Sequence, residues 1–275
     1  MRIDVWFDLV CPFCHLGKRR LELALADFEH GEEFDVVWHS YELDRSAPAV
    51  QDGEVVDRVA AKYGVSREQM VATHEHMASE AAELGLDFQW ERLVGGSSYN
   101  AHRLLHLARS KGHGQGEQVM DRLMRGWFSE GAALGDEDTL VRLGEEAGLD
   151  AHDIRELLAG DDFGIDVRTD EAVASQIGIT AVPTFVFDQK YAVQGAQPVD
   201  IIVNALRHTF EDRGNPATPP AQGGGCAGGC CGGGGCGGAQ DEANGEAAEC
   251  GEGQGCGDLC GTRTPDPASA STPHP

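Results

Sequence analysis

From residue 15 to residue 225 the chain has no cysteine. A structural zinc site takes about four ligands. The N-terminal pair Cys11 and Cys14 therefore has no second Cys-x-x-Cys or matching His pair in that stretch to complete such a site. No run approaches the roughly 18 apolar residues of a membrane span. Met1-Arg2 leads straight into a stretch holding Asp4 and Asp8 rather than an apolar leader, so no targeting segment is expected and cytoplasm is the expected compartment. Basic residues are scarce: 21 Lys and Arg stand against 46 Asp and Glu, a net charge of −25. Phosphate and anionic-lipid binding need basic stripes, so neither nucleic acid nor membrane is an expected partner.

Large apolar side chains also run out. The chain is 41% hydrophobic with four Trp, enough for a core to about residue 212. Beyond that point Gly runs and Pro dominate, and Leu259 is the exception. Such a composition does not bury enough surface to offset ordering entropy. The expected organisation is one domain over 1–212 and an acidic, Gly/Cys-rich, low-complexity, disordered tail over 213–275. From 214 on, seven acids face one arginine, so the tail carries −6 and the rest −19.

What is present starts at the N-terminus. Arg2 to Leu9 alternates, with Ile3, Val5 and Phe7 on one face, the period of a strand. From Leu16 to Phe28 the period becomes helical, with Leu21, Leu25 and Phe28 at i, i+4, i+7. Cys11-Pro12-Phe13-Cys14 sits at the handover, with Pro12 in the first turn, where its missing N–H costs nothing. A thiol at a helix N-terminus faces unpaired N–H groups and the positive end of the macrodipole. Both favour thiolate, so the Cys11 pKa is expected to fall below the free value of about 8.5. Cys14, one turn on, is placed to resolve a mixed disulfide.

A second strand is expected over 34–43, giving a parallel strand–helix–strand unit. Helices are expected near 53–63, 66–84, 97–111, 115–129, 136–147 and 151–159, with 165–177 leading to a Val182-Pro183 step. Strands return at 184–188 and 191–194 around a turn at Gln189-Lys190, and 198–213 is a last helix. The two ends build one sheet and the middle, about 50–160, is a helical insertion.

Five segments, FDLVCPFC (7–14), WHSYELD (38–44), NAHRLLHLAR (100–109), GITAVPTFVFD (178–188) and YAVQGAQP (191–198), carry a resemblance. Together they resemble the DsbA family of thiol-disulfide oxidoreductases. The branch they resemble is the FrnE-like one, related to 2-hydroxychromene-2-carboxylate isomerases and kappa-class glutathione transferases. The resemblance covers residues 1 to about 212. It implies a thioredoxin fold interrupted by a large helical insertion, Cys11 and Cys14 as the redox pair, and a cis-Pro loop at Val182-Pro183. Pro12, Phe13, Val182 and Pro183 are then substrate-binding residues. Asn100 and Arg103 border the site. Substrates are cysteine-containing proteins or peptides, with glutathione or a thioredoxin-type reductant as partner and no bound cofactor.

Other constellations stay open. Asp8 could accept a proton during thiol exchange, cap a turn or face solvent. His15 is expected towards solvent, and Phe13 holds the slot where a His between the cysteines would help hold a thiolate. His74-Glu75-His76 lacks the i, i+4 spacing of a metal-binding helix pair and reads as a solvated face. His102 and His106 have that spacing, yet their apolar neighbours favour structural histidines. Cys226, Cys230, Cys231, Cys236, Cys250, Cys256 and Cys260 do not match common zinc spacings. They suit an incidental disordered tail, a soft-metal thiolate cluster or a thiol relay to Cys11. Two rival functions follow: a glutathione-dependent isomerase or transferase, and a metal-binding or redox-sensing protein acting through the tail. The isomerase and transferase relatives typically use Ser where Cys11 stands, and an Asp-Arg or Asp-Ser pair where this chain reads Gly195-Ala196-Gln197-Pro198.

Overall fold

Four strands, β1 (Arg2–Phe7), β2 (Asp35–Ser40), β3 (Thr184–Phe187) and β4 (Tyr191–Gln194), form one sheet in the order β2-β1-β3-β4. The computed structural model describes residues 1–215. The tail from 216 and its seven cysteines, with the readings attached to them, lie outside the described residues. β1 pairs parallel with β2 (Val5 opposite Trp38) and antiparallel with β3 (Val5 opposite Phe185). A parallel pair needs a crossover rather than a tight turn, and α1 (Pro12–Asp27) supplies it. Between β2 and β3 come α2 (Val55–Tyr63), α3 (Arg67–Glu83), α4 (Tyr99–Ser110), α5 (His113–Glu130), α6 (Glu137–Glu146), α7 (Ala151–Ala159) and α8 (Gly164–Gln176); α9 (Val199–Glu211) closes the domain. This is a thioredoxin fold opened by a helical insertion.

Alternation along the strands gives the sheet two different faces. Ile3, Val5, Phe7, Trp38, Phe185 and Phe187 belong to the main core, together with residues of α1, α4, α5 and α9. The other face presents Asp4, Trp6 and His39. There α8 covers it, with Asp170 bound to the His39 ring (2.7 Å) and its carbonyl accepting the Trp6 indole N–H (3.0 Å).

Several expected boundaries shift for visible reasons. β1 ends at Phe7 rather than Leu9, because Asp8 turns away and its carboxylate accepts the N–H of Val10 (3.3 Å) and Leu43 (2.7 Å). β2 ends at Ser40 rather than Leu43 because the Glu42 N–H goes to Glu171 Oε1 (3.1 Å) instead of a strand. α1 starts at Pro12, four residues before its apolar periodicity does. The β3–β4 turn is centred on Asp188 and Gln189, both at positive φ (50° and 59°), one residue earlier than expected.

His74 corrects an expectation. It is buried, not on a solvated face, in register with Met70, Met77 and Ala81 along α3 and against Phe88 and Trp90. Burial holds its pKa below the ordinary value. Only its neighbours Glu75 and His76 are exposed.

Candidate active site

Leaving β1, the chain makes one hydrogen-bonded turn, Cys11 N–H to Asp8 C=O (3.3 Å), and α1 begins. Cys11 is the N-cap in extended conformation (φ −113°, ψ 114°), followed by Pro12 at the first helical position. Its carbonyl accepts the N–H of Cys14 (3.0 Å) and His15 (3.3 Å), so Cys11 caps the positive end of the helix. Cys11 is 5% exposed and Cys14 is fully buried. Both are free thiols. Burial pushes the Cys14 thiol well above its ordinary pKa. The hydrogen bond to Cys11 and the charges of Cys11 and Asp8 push the same way, while the Asp8 N–H, 3.4 Å from Cys14 Sγ, opposes them. Phe13 projects outward, 47% exposed, and Pro12 is half-buried.

Asp8 is fully buried, which removes the solvent alternative. It is a turn-holding residue and also the charged group closest in sequence to the thiol pair. His102, from α4, approaches its carboxylate to 3.4 Å without forming a hydrogen bond, and both ring nitrogens of this buried histidine are otherwise unpartnered. His106, one turn on, turns instead to Ser40 Oγ (3.0 Å) and Asp170 (3.3 Å). The two histidines therefore serve different neighbours. Among the described residues no group of three or more His, Cys, Asp or Glu is placed to hold a metal.

His15 also departs from expectation: it packs edge-on against Phe128 (4.3 Å) rather than facing solvent. Burial, helped by the Lys18 charge, lowers its pKa to about 4. The unfolded chain binds this proton at pH 6.5, so the neutral ring contributes stability above about pH 6.5 that fades as pH falls towards 4. The fall in melting temperature from pH 7.5 to 4.5 should therefore be smaller in His15→Phe than in the natural chain. Equal falls would contradict a neutral, buried His15.

The Val182–Pro183 bond is cis. Pro183 is buried and packs onto α1 at Gly17, one turn past Cys14. A Cβ on Gly17 would meet Pro183 Cγ at 2.8 Å, so only glycine lets the loop approach this closely. Val182 is half-buried and packs around Trp6 with Ile179 and Tyr41. The Pro183 carbonyl accepts Gly195 N–H (2.7 Å), tying the loop to the end of β4. Cys11, Cys14, Asp8 and Pro183 thus converge on the first turns of α1.

Asn100 lies at the start of α4, where its Oδ1 accepts Arg103 Nη1 (2.9 Å). Arg103 is buried and donates to the carbonyls of Asp162 (2.8 Å), Leu157 (2.6 Å) and Gly160 (2.6 Å). It fastens α4 to the α7–α8 connection.

Two polar assemblies beside the site went unforeseen. Asp170 binds His39, Ser40 N–H (2.8 Å) and His106, and those bonds hold its pKa far below the carboxylate range against the opposing effect of burial. Glu42 and Glu171 are buried with Arg168 bridging them. Both assemblies join residues about 130 positions apart, and no local pattern marks them.

Known proteins share this fold. A probable DsbA oxidoreductase from Streptomyces coelicolor is 38% identical, with a TM-score of 0.74, covering 85% of this chain and 100% of its own. Uncharacterized protein YwbO of Bacillus subtilis (strain 168) is 29% identical over 216 residues, 75% of this chain and 96% of YwbO. A 2-hydroxychromene-2-carboxylate isomerase shares the fold at 14% identity and a TM-score of 0.53, over 77% of this chain and 97% of its own. The DSBA-like thioredoxin domain model matches residues 2–207, and the chain belongs to that family.

Proposed function

We propose that the protein is a thiol-disulfide oxidoreductase of the FrnE-like branch, working in the cytoplasm on cysteine-containing proteins or peptides. The observation that carries this reading is the asymmetry of the pair: Cys11 caps α1 at its positive end while Cys14 is sealed behind it with its proton held. Cys11, as thiolate, attacks a substrate disulfide. A Cys11–substrate mixed disulfide forms, and the first substrate sulfur leaves as thiolate and takes up a proton. Cys14 then gives its proton to the Asp8 carboxylate, and its sulfur attacks Cys11 Sγ. The Cys11–Cys14 disulfide forms, and the second substrate sulfur leaves as thiolate and takes the proton from Asp8. The substrate gains two electrons and two protons, and the protein's dithiol loses them. The Asp8 N–H on Cys14 Sγ receives the negative charge as it develops. Backbone groups at Val182–Pro183 hold the substrate chain, with Pro12 and Phe13 as the opposite wall. Glutathione or a thioredoxin-type reductant restores the dithiol. The cysteine pair carries both electrons, so the exchange needs no further cofactor.

The glutathione-dependent isomerase or transferase reading is weakened by Cys11 at the position where such relatives use Ser, and by Gly195-Ala196-Gln197 after β4. The chain's reductase activity on insulin, with glutathione as donor, is expected to fall to background in Cys11→Ser. Activity retained in that variant would overturn the proposal. Removal of the tail is expected to leave the activity in place; its loss would move the function to the tail thiols.

A further inference from the structure

Between Tyr41–Ser46, which follows β2, and Gly178–Thr180, which leads into the cis-proline loop, the surface opens into a cleft of about 630 Å³. One wall connects to the thiol pair through Asp8, and the other adjoins the cis-proline loop. Leu43 N–H binds Asp8 Oδ2 (2.7 Å), and Asp8 N–H binds Cys14 Sγ (3.4 Å). Ile179 and Tyr41 pack with Val182. Glu42 and Glu171 lie at the cleft, and their side chains are almost wholly removed from water. Buried carboxylates require cations, since an unpaired charge there is costly. Two arginines serve them in different ways. Arg168 touches both carboxylates and lies over the Tyr99 ring at 4.6 Å. Arg45 sits on the exposed loop after β2, is 57% exposed, and makes a single ion pair, 2.7 Å to Glu171 Oε2. A pair whose cation is that exposed holds weakly and exchanges readily. Asp44 adds a third acid to the lining, and residues 1–213 carry −19.

We infer that this cleft receives a basic side chain of the substrate polypeptide, which takes Arg45's place on Glu171, so that the protein selects cysteines flanked by Lys or Arg. The inference rests on the oxidoreductase reading and supplies its substrate class. The buried carboxylates always need a cation, and the exposed one on the loop is the one a substrate can replace. Because the cleft adjoins the segment leading into the cis-proline loop, the preference belongs to one flank of the substrate cysteine. The acidic surface as a whole attracts cationic chains from any direction and distinguishes no flank.

The test uses the full chain and disulfide-linked peptides with Lys, Gln or Glu two residues from the cysteine, on each flank in turn. Hydroxyethyl disulfide reports the exchange chemistry alone. At low salt kcat/KM is expected to favour Lys over Glu by about fivefold on one flank, through KM, and the ratio should shrink at high salt. Arg45→Ala should widen that ratio, because the competing cation is gone, and Glu42→Gln should narrow it. Equal rates for Lys and Glu peptides, the same ratio on both flanks, or a ratio unmoved by Arg45→Ala would overturn the inference while leaving the oxidoreductase reading intact. No turnover of hydroxyethyl disulfide or of any peptide would overturn both.

Discussion

Iodoacetamide labelling of the reduced protein at pH 7, mapped by mass, is expected to mark Cys11 about a hundredfold faster than Cys14. Only the thiolate alkylates, and only where the reagent reaches it. Cys14 fails on both counts: it is fully buried, and burial with the neighbouring Cys11 and Asp8 holds its proton. Cys11, 5% exposed, is the residue of the pair that reaches the surface, at the N-cap of α1. Mapping separates this pair from the tail cysteines, which report on themselves alone. Faster labelling of Cys14 would reverse the assignment of nucleophile and resolving thiol.

The largest expected effect on stability comes from Arg103→Ala. The guanidinium holds three main-chain carbonyls and Asn100 in a site that is 3% exposed. Its removal leaves buried acceptors without donors and a hole behind α4. The cost is about 3–5 kcal/mol, and the melting temperature should drop by about 6–20 °C. Below that transition the labelling contrast between Cys11 and Cys14 should persist. An unchanged melting temperature with lost exchange activity would place Arg103 at the reacting groups instead.

The placement of the cysteine pair at a strand-to-helix handover was legible in the sequence because it is local. A strand's alternation, a proline and two cysteines one helical turn apart lie within residues 2–14, and their geometry follows from helix and strand periods alone. The Val182-Pro183 step was legible once the cysteine pair gave it a partner. Helix existence was legible from the apolar stripe, as with Ala101, Leu104, Leu105 and Ala108, all buried. Strand ends were not, because β1 and β2 are ended by carboxylates that accept main-chain N–H groups distant in sequence, Asp8 from Leu43 and Glu171 from Glu42. His74 was misplaced because its neighbours Glu75 and His76 are polar. The residues that matter for it, Met70 and Met77, lie at i−4 and i+3. The burial of Asp8 beneath His102, and the Asp170 assembly, depend on where the helical insertion folds back onto the sheet. No periodicity within a single element encodes that.

The account rests on Cys11 as the atom that bonds substrate and Cys14 as the one that releases it. Cys14→Ser, incubated with a disulfide-bonded protein substrate and quenched with acid, isolates that division. Peptide mapping should find a stable mixed disulfide between substrate and Cys11. Recovery of substrate on tail cysteines alone, or no adduct while the natural chain still reduces the substrate, would contradict it.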